Sequence, residues 1–224
     1  MPGFGDFDPQ SFVAIIVTFV VAITVHEFMH AWTAWMLGDD TARLLGRVSL
    51  NPVVHFDPVG ALLFVLIALG LPGIAWGKPV PVNDFRLRPA GRFGRHGSMA
   101  LVAFAGPLSN VVLGAIGAGI WRLSTSASGG LGEAEQFLET FVLVNFSLAA
   151  FNMIPLPPLD GSRILVALLP PFWRPVLAPL ERYGVPILIL LLVVGSSFGS
   201  AIGSEIINGI TLPVYQLLLR IFVG

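Results

Sequence analysis

The 224-residue sequence contains no cysteine, and only 11% of its residues are charged. The absence of cysteine excludes disulfide bonds and thiolate metal sites, so any metal ion must be bound by histidine and carboxylate ligands. Soluble domains usually carry about 25% charged residues. This shortfall, together with a hydrophobic fraction of 55%, indicates a multi-pass membrane protein. The net charge of −1 gives no support to nucleic-acid binding.

Long apolar runs separated by polar loops predict an all-α, polytopic membrane protein that forms a single domain over residues 1–224. We expect about five transmembrane helices and one re-entrant segment. The apolar segments are 11–36, 59–76, 97–121, 137–154, 184–199 and 205–222. Thr41–Leu50 has the character of a short strand. The acidic residues Asp6 and Asp8 stand where a cleavable signal peptide has basic residues, so we expect the first helix to be retained.

The distribution of basic residues predicts the membrane topology. Three loops carry most of the lysine and arginine: 37–58, 77–98 and 162–182. All three can lie on the cytoplasmic side only if segment 59–76 enters the membrane and returns, which its glycines and proline permit. The first helix then runs from outside to inside. Helices 97–121 and 137–154 lead out and back, and they bring Asp160 to the cytoplasmic end of the first helix.

Two histidines and a glutamate interrupt the first apolar run at His26, Glu27 and His30. An ionisable group near the membrane centre costs about 2.5–3.5 kcal/mol, so such residues usually have a function. His26 and His30 are four residues apart and project from one face of a helix, as two ligands of one metal ion require. Glu27 is placed to act on a metal-bound water.

A catalytic zinc site usually has three protein ligands and a water, so one ligand is missing from this helix. Asp160 is the best candidate, because it follows a proline-rich helix end and precedes Gly161. It can alternatively cap the helix that follows. His55 and His96 are other candidates for the ligand, but both lie in basic loops.

These residues resemble the site-2 proteases, which are intramembrane zinc metalloproteases. Three signatures of that family occur in order: His26-Glu27-Phe28-Met29-His30, Gly106-Pro107-Leu108-Ser109-Asn110, and Asn152-Met153-Ile154-Pro155-Leu156-Pro157-Pro158-Leu159-Asp160-Gly161. The resemblance covers the core, residues 11–170, and excludes the C-terminal helices within 184–222. Residues 46–52 and 76–82 look like a compact prokaryotic branch, and the chain has no room for a PDZ or CBS domain.

The resemblance implies that His26, His30 and Asp160 bind one zinc ion per chain and that Glu27 is the general base and acid. It further implies that Asn152, with Asn110 as a second candidate, holds the substrate backbone or the developing oxyanion. Both asparagines can instead simply form hydrogen bonds between helices. The family also has a membrane-embedded β-like loop near the active site, which we place within residues 41–85.

The predicted activity is hydrolysis of peptide bonds in or near transmembrane segments of single-pass membrane proteins, as in regulated intramembrane proteolysis. The active site is expected in the cell membrane, towards its cytoplasmic side, with the bilayer and a transmembrane substrate as partners. The extended segment 78–83, with Val80 and Val82, is a candidate substrate clamp, or only a rigid loop. The alternative function is a non-proteolytic zinc-binding membrane protein or a zinc transporter, which would need ligands along several helices rather than at one site.

Overall fold

The computed structural model of the protein describes residues 8–69, 75–126, 133–173 and 201–223, with isolated positions between 175 and 190. All regular structure within these residues is helical, which confirms the all-α prediction for them. Seven helices have defined bounds: α1 Pro9–Met36, α2 Thr41–Leu44, α3 Pro58–Ala68, α4 Gly94–Ser126, α5 Glu133–Asn152, α6 Asp160–Leu168 and α7 Ala201–Phe222. Short 3₁₀ turns lie at Pro52–His55, Gly91–Phe93 and Pro171–Trp173.

Two of the described helices are long and apolar enough to cross a membrane, against the expected total of about five. They are α1 and the stretch Gly94–Ser124 of α4. The apolar stretches Pro58–Ala68 and Leu212–Phe222 are shorter, and the first two turns of α5 contain three glutamates. The predicted helix 184–199 falls largely outside the described residues.

The motif from His26 to His30 lies on α1. Local sequence sets both ends of this helix. The Asp8 carboxylate accepts hydrogen bonds from the backbone N–H groups of Gln10 and Ser11, both at 3.1 Å, and so caps the helix. Pro9 occupies the first turn, where its missing N–H has no cost. The helix stops before Gly38, whose φ of 104° is readily adopted only by glycine.

The predicted strand at Thr41–Leu50 is wrong. The segment begins with the helical turn α2, and the described part of 41–85 contains no strand. Asp39 explains the difference, because its Oδ1 accepts a hydrogen bond from the Thr41 backbone N–H at 3.0 Å. This local side chain–backbone contact favours a turn over the extended conformation that the composition suggested.

The segment expected to be re-entrant begins with α3, which Asp57 caps through the Gly60 N–H at 2.8 Å. After α3, the chain returns to where that helix starts. A Cβ atom on Gly60 would lie 2.0 Å from the Trp76 carbonyl oxygen. In addition, the Lys78 N–H donates to the His55 carbonyl at 2.9 Å. The residues before and after this excursion are therefore adjacent.

α4 lies at the centre of the fold and packs against α1, α5 and α6. Small residues allow this close packing, since a Cβ atom on Gly114 would lie 2.3 Å from the Phe146 ring. The N-terminus of α6 is held against the end of α5 in the same way, because a Cβ atom on Gly161 would lie 2.3 Å from the Met153 carbonyl oxygen. These contacts bring α1, α4 and α6 together around one buried group of polar side chains.

Candidate metal centre

Three potential ligand atoms converge between α1 and α6. The Nε2 atoms of His26 and His30 lie 3.0 Å apart. Asp160 Oδ2 lies 3.1 Å from the His26 nitrogen and 3.3 Å from that of His30. Both histidines are buried, at 3% and 7% exposure. A tetrahedral zinc ion with bonds of about 2.0 Å separates its ligand atoms by about 3.3 Å, so the spacing fits zinc.

The other ring nitrogens of the histidines face hydrogen-bond acceptors. His26 Nδ1 donates to Asn110 Oδ1 at 2.6 Å, and His30 Nδ1 donates to the Val102 carbonyl at 2.7 Å. Neutral imidazoles bound in this way present lone pairs at both Nε2 atoms. Two lone pairs and a carboxylate oxygen then meet at one point, an arrangement that is repulsive without a cation between them. The residues therefore fit a metal ion by their chemistry as well as by their spacing.

Asp160 is the first residue of α6, yet its side chain does not cap that helix. Leu159 occupies the N-cap position, where no side-chain hydrogen bond is formed. The Asp160 carboxylate instead faces the two histidines. The geometry of Asp160 therefore favours a role as metal ligand over a role as helix cap.

Gly106 explains why a glycine stands in the second signature. A Cβ atom at this position would lie 2.4 Å from His30 Nε2 and 2.7 Å from His26 Cε1. Real Cβ atoms do not approach other atoms so closely, so any side chain here would displace the imidazoles. Glycine lets α4 pack directly on the metal-binding face of α1.

Asn110 is completely buried and all its hydrogen-bonding groups are used. Its Oδ1 accepts from His26, and its Nδ2 donates to the Ala22 carbonyl at 3.2 Å and to Asn145 Oδ1 at 3.1 Å. Asn145 is in turn held by a bond from its Nδ2 to the Phe141 carbonyl at 2.8 Å. With both amide hydrogens in use, Asn110 orients His26, and none is left for a substrate oxyanion.

A cavity of about 450 Å³ opens beside the three ligands. Glu27, Asn152, Val80 and Val82 all line it, together with mostly apolar neighbours. Asn152 Nδ2 donates one hydrogen to the Leu148 carbonyl at 3.0 Å, which leaves its second amide hydrogen for a ligand. The cavity therefore combines a metal site, a carboxylate and an amide donor within an apolar enclosure.

His55 and His96 do not join the metal centre. The cluster of possible metal ligands found in the described residues consists of His26, His30 and Asp160. His55 is buried, and its Nε2 donates to the Ser49 carbonyl at 2.8 Å. Burial lowers the pKa of His55, and the positive charge of Arg47 lowers this pKa further. His96 lines a separate, neighbouring cavity.

Some supporting groups were missed by sequence reasoning. The Val102 carbonyl gives no sequence signal, because any residue supplies one. Asn145 did give a signal, as a polar residue within the apolar run 137–154. Arg47, which is 5% exposed, stands out in the sequence only as part of the basic loop 37–58 and of the stretch 46–52, and neither feature predicts its contacts.

Comparison with known proteins gives consistent results. The model of peptidase family M50 matches residues 123–195. A Bacillus subtilis (strain 168) protein named "Putative zinc metalloprotease YwhC" is 35% identical over 219 residues, which cover 93% of this chain and 92% of that protein. "Putative zinc metalloprotease Rip2" of Mycolicibacterium smegmatis is 30% identical over 190 residues, covering 81% of this chain and 67% of its own length. No solved structure matches the chain significantly.

Proposed function

Because the chain belongs to peptidase family M50, we propose that it is an intramembrane zinc protease that hydrolyses peptide bonds in or near transmembrane segments of single-pass membrane proteins. One observation carries this proposal. The ligand atoms of His26, His30 and Asp160 lie within 4.8 Å of one another, in a cavity that Glu27 also lines. Metal ligands beside a free carboxylate are the parts that metal-assisted peptide hydrolysis requires.

A zinc ion bound by these three side chains supplies Lewis acidity and lowers the pKa of a bound water to about 7. Glu27 takes up the proton of the attacking water on its carboxylate and passes it to the amine leaving group. Asn110 and the Val102 carbonyl keep the two imidazoles in the tautomer that ligation needs.

Asn152 is proposed to bind the substrate carbonyl as negative charge develops on its oxygen. Its second Nδ2 hydrogen is available, and the side chain lines the same cavity as Glu27. An amide donor that is held in place stabilises an oxyanion without reorganising during the reaction.

Segment 78–83 is proposed to capture the substrate backbone. A transmembrane helix must be unwound before a peptide bond can be attacked, and an exposed extended segment can pair with the unwound chain. Val80 and Val82 both line the cavity, as residues two apart do in an extended chain. Within the described residues, the backbone N–H groups of these two valines have no hydrogen-bond partner.

The membrane arrangement we propose places the active site towards the cytoplasm. α3 has 11 residues, a length of about 16 Å, or roughly half of a bilayer core. The contact between Gly60 and Trp76 supports an excursion that enters and returns rather than crosses. A second cavity of about 1060 Å³ shares Val82, Met99, Pro158 and Arg163 with the metal cavity, and it offers a route for water.

Zinc analysis and a cleavage assay together test this proposal. Wild type, Glu27→Gln and Asp160→Asn are purified, analysed for zinc and reconstituted with a panel of single-pass substrates. We expect the wild type to bind one zinc ion and cleave, Glu27→Gln to bind zinc without cleaving, and Asp160→Asn to lose both properties. Zinc flux across the vesicle membrane, without cleavage of any substrate, would instead identify a transporter.

A further inference from the structure

The cavity wall at 78–83 is attached to the loop that follows α1, and its first attachment is Arg47. This guanidinium is 5% exposed. Its Nη1 donates to the Val54 carbonyl, and its Nη2 donates to the carbonyls of Lys78 and Pro79. One side chain thus joins the turn at 52–55 to the beginning of the wall.

The second attachment is Asp39, which is completely buried. Its Oδ2 accepts a hydrogen bond from the Asn83 backbone N–H at 2.6 Å. Its other oxygen accepts a hydrogen bond from the Thr41 N–H, at the start of α2, at 3.0 Å. Asp39 therefore fixes the far end of the wall to the end of the metal-binding helix.

Between these two attachments lies a stretch of backbone whose hydrogen-bonding groups are unpaired among the described residues. In the part of the chain that the structure describes, Val80, Pro81 and Val82 form no backbone hydrogen bonds, while both valine side chains line the cavity. Gly77, which directly precedes the wall, packs against α1. A Cβ atom on Gly77 would lie 2.9 Å from Ile23 and 3.6 Å from Glu27 Cγ. The position of this unpaired backbone is thus set relative to the proposed general base.

The choice of arginine at position 47 supports a role in holding this wall. A buried guanidinium is costly unless its N–H groups are bonded. No carboxylate forms an ion pair with Arg47 among the described residues. Backbone carbonyls therefore compensate its two terminal nitrogens, while its buried Nε has no hydrogen-bond partner there. The planar guanidinium presents its donors on separate nitrogens in a fixed fork, so it can span two backbone segments, whereas a lysine ammonium gathers its three donors at one nitrogen on a flexible stem.

We propose that Arg47 and Asp39 are positioning residues for substrate binding. Together they hold residues 79–82 as a preformed extended edge beside Glu27, to which an unwound substrate segment adds by backbone pairing. An edge that is already ordered binds more tightly, because less conformational freedom is lost on binding. This inference rests on the proposed proteolytic function and deepens it by naming what prepares the substrate site.

Kinetics of conservative variants test the proposal. Arg47→Lys retains the charge but loses the fork, and Asp39→Asn loses the anionic acceptor. For each variant we expect KM for a reconstituted single-pass substrate to rise about tenfold, the cost of ordering a short segment during binding. We expect kcat and zinc content to stay close to the wild-type values. Arg86→Lys is the matched control, because Arg86 forms an exposed ion pair at 2.6 Å with Asp40, the neighbour of Asp39. The KM of this variant should not change.

A spectroscopic measurement keeps the test independent of activity. The chain has no cysteine, so spin labels can be attached at Pro81→Cys on the wall and Val112→Cys on the exposed face of α4. We expect a narrow distance distribution in the otherwise wild-type chain and a broader one when Arg47→Lys is added.

These outcomes separate the inference from the proposed function. An unchanged KM in both Arg47→Lys and Asp39→Asn, or an unchanged distance distribution, would overturn the positioning role. A lower melting temperature with unchanged KM would also overturn it, because it would show a purely structural role. If the wild type cleaves no substrate, the proposed function fails, and the distance distribution still decides whether Arg47 orders the wall.

Discussion

The metal centre and the cavity wall at 78–83 both line one cavity but are built in opposite ways. At the metal centre, side chains lie on helices and the Nδ1 atom of each histidine ligand has a defined partner. Along the wall, the backbone is neither helix nor strand, and the N–H groups of Val80 and Val82 are unpaired among the described residues. The metal centre is therefore suited to keep its ligands in one geometry, and the wall is suited to form backbone hydrogen bonds with a bound substrate segment.

This difference has a physical reason. Hydrolysis requires ligands that stay within a few tenths of an ångström of one geometry, which packed helices provide. A substrate helix must exchange its internal hydrogen bonds for new ones, which requires a protein backbone with free donors and acceptors. Changes at the centre should therefore affect zinc binding or the chemical step, whereas changes at the wall should affect substrate binding.

Glu27→Gln should give the largest effect, and it separates the chemical step at the metal centre from zinc binding. Removal of a general base typically lowers the rate about 10²–10⁴-fold. Zinc content should remain at the wild-type level, because Glu27 is not among the three clustered ligands. Single-turnover cleavage and metal analysis on the same preparation measure both quantities. Near-normal cleavage by this variant would remove Glu27 from the chemical step.

Gly106→Ala should damage the centre without altering any ligand. Its Cβ atom would lie 2.4 Å from His30 Nε2, so the imidazoles must move, and a displacement near 1 Å can lower activity about 10²-fold. Zinc titration and cleavage measure the effect. Gly119→Ala is the matched control, since nothing lies within 4 Å of a Cβ atom there. Equal behaviour of the two variants would show that close packing of α4 on the histidines is unimportant.

Asn110→Ala should weaken zinc binding while leaving all three ligands in place. Loss of a hydrogen bond that orients a ligand typically lowers metal affinity about 10–100-fold, and competition with a chelator measures this change. Asn145→Ala removes the acceptor of an Asn110 hydrogen bond but leaves the bond between Asn110 and His26 intact. Its effect on zinc affinity should therefore be smaller. Unchanged zinc affinity in Asn110→Ala, with slower cleavage, would support the oxyanion role that the family resemblance suggested.

The centre was largely predictable from sequence, and the wall was not. His26 and His30 could be predicted because helical geometry alone places residues four apart on one face. Asp160 followed from the missing third ligand. The partner of His30 could not be predicted, because a backbone carbonyl has no sequence signal. At Thr41–Leu50 the strand prediction failed because a side chain–backbone contact from Asp39 favours a turn there.

The wall shows a further limit of sequence reasoning. The prolines at 79 and 81 correctly indicated a non-helical chain, and Val80 and Val82 were singled out for that reason. The two attachments of this segment come from Arg47 and Asp39, more than thirty residues earlier. Only the tertiary fold brings those side chains to the wall, so its position beside Glu27 had no local sequence signal.

Val80→Pro should give the smallest effect of these four variants, and it tests the role of the wall backbone in substrate binding. Proline keeps an extended backbone but removes the N–H group that we propose pairs with the substrate. We expect cleavage of a single-pass substrate to fall about tenfold through KM, the loss expected for one or two backbone hydrogen bonds, with zinc content unchanged.

Val80→Ala keeps the N–H and is the matched control for loss of the side chain. If alanine and proline slow cleavage equally, the valine side chain matters and its backbone does not. If neither variant slows cleavage, the wall is only a rigid boundary of the cavity and does not pair with the substrate backbone.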